Sequence, residues 1–126
     1  LHPMNRLSGT VVDAAIQVHA ALGPGLLEKV YQAVLRYELE ERGLHVLEQV
    51  LVSIRYKGIR IPAGFRMDLL VENSLVLELK SVPTVLPVHK KQLLTYLRLS
   101  DKRLGLLLNF GSEMLRDGIS RCVNRF

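Results

Sequence analysis

AGFRMDLLVENSLVLELKSV, residues 63–82, places two apolar runs, Met67 to Val71 and Leu75 to Val82, on either side of Glu72-Asn73-Ser74. Short leucine- and valine-rich runs around a polar turn of that size predict a β-hairpin. Three charged residues lie inside it: Asp68, Glu78 and Lys80. Side chains alternate along a strand, so Glu78 and Lys80 share one face while Leu75, Leu77 and Leu79 take the other. A hairpin folded at Asn73 brings Asp68, on the neighbouring strand, to the face of Glu78 and Lys80. Two carboxylates and an amine buried on one sheet face are costly unless something pairs with them. A divalent cation held by the carboxylates, with the lysine beside it, is one sufficient partner. The commonplace reading of Glu-x-Lys on a strand is a solvated face carrying a weak ion pair. The rest of the chain has to separate the two.

A chain of 126 residues is the size of a single domain, 1–126, large enough for one sizeable core. With 48% hydrophobic and 23% charged residues the composition is globular, so disorder is not the default. No apolar run reaches the roughly eighteen residues of a membrane span, and no signal peptide is evident at the start. A cytoplasmic protein with no membrane partner is therefore expected. Cys122, the only cysteine, excludes an intramolecular disulfide and a cysteine-based zinc cluster. Lys and Arg exceed Asp and Glu by 17 to 12, a balance that favours a polyanionic partner but is also common among small proteins without one.

Upstream of the hairpin, Leu1-His2-Pro3 reads as a frayed start. Val11, Val12, Ala15, Ile16, Val18 and Ala21 then predict a helix from Leu7 to Leu22, capped by Ser8 or Thr10, with His19 as a core or capping residue. Gly23-Pro24-Gly25 breaks it. A second helix is expected from Leu26 to Arg42, closing at Gly43 and packed through Leu27, Val30, Val34, Leu35 and Leu39. Glu28 and Tyr31, three apart, share a face; the first suits the positive helix end and the second the core edge. His45 to Tyr56 alternates as a strand, Lys57-Gly58 turns, and Pro62-Ala63-Gly64 interrupts the ladder. Downstream, Pro87 opens a helix from Val88 to Ser100, with leucines 93, 94, 97 and 99 packed and Gln92 and Tyr96 sharing another side. Leu104 to Phe110 reads as a central strand buried on both faces, and Arg116 to Asn124 as a final edge strand. The sum is an α/β or α+β fold, a mixed sheet with helices on its faces.

A helical Glu, then Asp, then Glu-x-Lys, then a helix resembles the restriction-endonuclease-like nuclease fold, whose signature is PD-(D/E)xK. More closely, Gly25-Leu26-Leu27-Glu28-Lys29-Val30-Tyr31 is GxxExxY as it stands, and the chain is similar to the GxxExxY protein family. The resemblance continues through Gly64 to Val71, Leu77-Glu78-Leu79-Lys80, Gln92 to Leu97 and Gly105 to Gly111. It covers most of the chain, from Leu7 to Val123. Met67 stands where the classical signature has its proline, a position that varies across the superfamily.

This resemblance implies a metal-dependent nuclease-like protein that hydrolyses phosphodiester bonds in nucleic acid, DNA ahead of RNA. Asp68, Glu78, Lys80 and Gln92 match the catalytic positions. Asp68, Glu78 and Glu28 match the ligands of Mg²⁺ or Mn²⁺, a hard cation suited to oxygen donors. Tyr31, Tyr96 and Arg66 are implied to position substrate. Lys90, Lys91, Arg98, Lys102 and Arg103, on or just after the Gln92 helix, are the expected phosphate contacts. One domain this small offers one site, so cutting both strands of a duplex calls for a second copy or a second event, and a homodimer is the commonest way to supply it. The rival is a catalytically weak or inactive nuclease-fold module that binds nucleic acid or protein. A sugar- or nucleotide-processing enzyme lacks support, since neither a Gly-rich phosphate loop nor a nucleophile elbow is present.

Overall fold

The computed structural model describes residues 3–125, with the backbone alone at position 63. Leu1 and His2 of the expected frayed start lie outside the described residues, and Pro3 already belongs to the first helix. Two helices come first, α1 (Pro3–Leu22) and α2 (Glu28–Glu41), then three strands, β1 (Val46–Tyr56), β2 (Ile59–Val71) and β3 (Leu75–Lys80). Helix α3 (Pro87–Ser100), β4 (Leu104–Asn109), a 3-10 turn (Leu115–Gly118) and β5 (Ile119–Val123) complete the chain. The strands form one mixed sheet in the order β1-β2-β3-β4-β5. All neighbours are antiparallel except β3 and β4, which α3 connects as a parallel crossover.

Alternation decides the layers. Leu75, Leu77 and Leu79 of β3, with Leu104, Leu106 and Leu108 of β4, pack beneath α1 and α2 against Val11, Ala15, Leu35 and Leu39. Val76 and Leu107, on the opposite face, meet Leu93 and Leu97 of α3. A Cβ at Gly105 would come within 2.9 Å of the Leu93 side chain, so glycine there lets α3 lie close on β4. β4 is buried along its whole length, as a continuously apolar run between two strands and two helical layers must be.

Several local expectations need correction. Ser8 and Thr10 do not cap α1: both lie inside it, and their hydroxyls donate back to the Asn5 and Arg6 carbonyls. Leu27 and Val30 are exposed, because Tyr31, Leu35 and Leu39 turn a different stripe of α2 inward. Leu99 is exposed as well, and only Leu93 and Leu97 of the α3 leucines are fully buried. Pro62 to Gly64 does not end the ladder. β2 continues through it with a register shift, two extra residues passing opposite the single Ser53. Gly64 is required at that bulge, since a Cβ would lie 2.2 Å from the Val52 carbonyl oxygen. The last strand is shorter than expected because Leu115–Gly118 coils first.

Candidate active site

The hairpin closes with Glu72 and Asn73 both in the left-handed region, φ 53° each, and pairs Val71 with Leu75, Leu70 with Val76 and Leu69 with Leu77. There the β2–β3 ladder stops. The next residue of β2 is Asp68, and its Oδ2 accepts the Leu79 N–H at 2.8 Å, a side chain taking the place of a main-chain rung. Both strands flanking this point change pleat. Met67 and Leu70 pack with the α3 layer while Leu69 packs with α1 and α2, and Gln49, opposite Asp68 in β1, has φ 51°. A non-glycine residue held left-handed is costly and tends to occur where surrounding structure demands it. Here it swings the Gln49 amide towards Asp68 Oδ1, 3.4 Å away, and into a 2.9 Å hydrogen bond with Gln32 Oε1 of α2.

Glu78 stands across from Asp68. It is only 8% exposed, and its Oε1 has no hydrogen-bond partner among the described residues. Its carboxyl pKa is pushed up to about 9 by burial first, then by the negative charge of Asp68 and a hydrogen bond with that side chain. The Lys80 ammonium opposes the shift and is thus close enough to be felt. Tyr96 of α3 faces the same pair: burial raises its hydroxyl pKa first, then the charges of Glu78 and Asp68, with a hydrogen bond from Gln92 opposing. Its ring stacks on Phe65 of β2 at 4.0 Å. The structure therefore brings Asp68, Glu78, Lys80, Gln92 and Tyr96 to one place.

Other expected members fall elsewhere. Tyr31 is not a substrate-positioning side chain: it is wholly buried, stacks on Phe110 at 4.4 Å, and spends its hydroxyl on the Gly23 carbonyl and the Leu26 amide. It holds the loop from which α2 starts, and Ser81 Oγ fastens the same loop by a bond to the Leu26 carbonyl at 2.6 Å. Glu28 begins α2 beside the segment that follows Lys80, but its side chain is exposed, as a carboxylate at a solvated helix N-terminus can be. It does not join the carboxylate pair: no three His, Cys, Asp or Glu side chains converge to hold a metal among the described residues. Arg66 is exposed on β2, two residues before Asp68.

The expected basic ridge divides. α3 runs back along β3, so Lys90 and Lys91 lie in its first turns, Arg98 lies about 10 Å further along its axis, and Lys102 and Arg103 follow its end. Lys102 is committed there, donating to the Asn73 carbonyl at 2.9 Å across the hairpin turn. His19 keeps its structural role, buried beside Phe110 with Nε2 2.9 Å from the Ser112 carbonyl oxygen.

Gln49 and Phe65 were not singled out in the sequence. Gln49 sits in a polar stretch that reads as an outward face, and nothing local announces its left-handed backbone. Phe65 meets Tyr96 only through the long-range packing of β2 on α3.

A divalent cation fits this arrangement on chemical grounds. Two crowded carboxyl groups, one with a buried orphan oxygen, offer hard oxygen donors and a like-charge repulsion that a cation would relieve. Residues 5–122 match the sequence profile of the PD-(D/E)XK nuclease superfamily. No curated protein and no solved structure matches the chain.

Proposed function

The chain belongs to the PD-(D/E)XK nuclease superfamily, and on that premise we propose that it hydrolyses phosphodiester bonds in nucleic acid, DNA ahead of RNA, at the Asp68–Glu78–Lys80 site. The observation that carries the reading is the orphan Oε1 of Glu78, buried against a second carboxylate with a lysine beside it. A structural ion pair needs no such oxygen; a reaction centre often has one. The GxxExxY motif at Gly25 to Tyr31 supports placement in that narrower family.

Asp68 and Glu78 would hold Mg²⁺ or Mn²⁺, which supplies Lewis acidity and a more acidic bound water at a scissile phosphate. Glu28, exposed at the α2 start, reaches such a site through water at most. Asp68 is oriented from two sides, by the Leu79 amide and by Gln49, so little motion is needed to adopt the working geometry. Lys80 is half-buried and carries a compact positive charge. Its task is to meet negative charge developing on the phosphate, where a preorganised cation acts strongly. Gln92 and Tyr96 form the α3 wall, and Gln92 positions Tyr96 or a phosphate oxygen by hydrogen bonding.

The test is product formation from an end-labelled DNA duplex with Mg²⁺, Mn²⁺ or chelator. Cation-dependent product is expected from the wild type and none from Glu78→Gln. Binding without product on DNA or RNA would replace this reading with that of a binding module.

A further inference from the structure

We infer that the outer part of the β1–β2 hairpin, Val50 to Met67, is a docking arm for duplex DNA, its arginine-bearing face tracking the phosphates that flank the cleavage site. The inference deepens the nuclease reading and rests on it for the identity of the site the arm serves.

β3 pairs with β2 only from Leu69 to Val71, so from Val52 outward β1 and β2 have no third strand and form a two-stranded ribbon. From Val50 to the Lys57-Gly58 turn it extends about 20 Å at the ordinary rise of a strand. Residues 50–67 contain Arg55, Lys57, Arg60 and Arg66 and no acidic residue. Register places three of these on one face. Arg66 is opposite Leu51 and Arg60 opposite Arg55, while Leu51, Ser53 and Arg55 are alternate residues of β1. A bond from Arg60 Nε to Ser53 Oγ at 3.0 Å agrees with that placement. The other face carries Val52 and Phe65, which turn towards the α3 layer.

Arg55 directly across from Arg60 is a like-charge pair, which disfavours a hairpin unless an anion lies over it. None of the four cations takes part in a salt bridge among the described residues. A second copy of the arm would set like charge against like charge, whereas a polyphosphate completes it. The row also leads somewhere: along β2, Arg60 and Arg66 run directly to Asp68, and the Phe65–Tyr96 stack ties the root of the arm to the site wall. A two-stranded ribbon fits the major groove of B-form DNA, about 12 Å wide, whereas the deep, narrow groove of an RNA duplex does not admit it.

The experiment measures anisotropy of a labelled DNA duplex of about two helical turns, with Ca²⁺ replacing Mg²⁺ and salt varied. The same sequence is tested as RNA duplex and single strand. The Arg55→Gln/Arg60→Gln protein should bind the DNA duplex about tenfold more weakly at moderate salt, with a log–log salt slope shallower by about two units. Arg55→Lys/Arg60→Lys should keep that slope, and the RNA duplex should bind more weakly than the DNA. An unchanged slope in the glutamine protein overturns the proposal. So does an equal loss in the lysine protein, or equal affinity for the RNA duplex. A wild-type dimer that sedimentation shows to dissociate in the glutamine protein, with DNA affinity unchanged, would assign the arm to self-association instead. Cleavage is scored separately in Mg²⁺. Arm-dependent binding without product would retire hydrolysis and leave the arm; product without arm-dependent binding would do the reverse.

Discussion

Glu78 is the residue on which the site turns, and its protonation has a sign that can be checked. The unfolded chain releases this proton near the ordinary carboxyl value of 4.5, the folded protein near 9. Between those values the folded state binds more protons, so its stability falls as pH rises. The favourable balance is complete below the lower value and lost as pH passes the upper one. Thermal melts in chelator from about pH 5 to about pH 9 should therefore show a declining wild-type midpoint. Glu78→Gln, which stays neutral, should be nearly flat over that window and the more stable protein at its alkaline end. A wild-type midpoint that holds constant while Glu78→Gln melts lower would mean Glu78 is ionised and paired when folded. Asp68, Glu78 and Lys80 could be placed together from the sequence because strand alternation and a short turn are local rules. Gln49 could not, since its role depends on a left-handed backbone imposed by the pairing with β2.

At the level of elements, the start of α2 depends on Tyr31. Its hydroxyl satisfies the Gly23 carbonyl and Leu26 amide, which the break between the helices leaves without main-chain partners, and its ring stays stacked on Phe110. Tyr31→Phe keeps the stack and removes both bonds, so a loss of about 1–3 kcal/mol is expected in denaturant melts. Faster amide exchange should be confined to the segment from Gly23 to Glu28. Equal stability and exchange would show the hydroxyl to be incidental. The i, i+3 spacing of Glu28 and Tyr31 was legible, but spacing alone cannot say which partner is buried. Helix positions were readable to within a few residues because their apolar stripes are long. The bulge at Pro62 to Gly64 was visible only as a break, since whether a strand ends or shifts register there depends on Val52 opposite.

For the whole molecule, the mixed sheet flanked by helices followed from the order of elements, and the β3–α3–β4 crossover makes β3 and β4 parallel. The same crossover spreads the expected phosphate contacts along α3 and past its end. Lys90 and Lys91 stay beside Gln92, whereas Arg98, Lys102 and Arg103 fall towards and beyond the other end of α3, and Lys102 donates to the hairpin turn. Under the proposed mechanism binding and chemistry should separate, because Lys80 would act on charge that develops only during reaction. The most direct measurement compares wild type and Lys80→Ala on one labelled DNA duplex, reading affinity in Ca²⁺ and single-turnover product in Mg²⁺ or Mn²⁺. Affinity should stay within about twofold while product formation falls by about a hundredfold or more. A Lys80→Ala protein that cuts at the wild-type rate, or that loses binding and cutting in equal measure, would contradict a catalytic site at Asp68, Glu78 and Lys80.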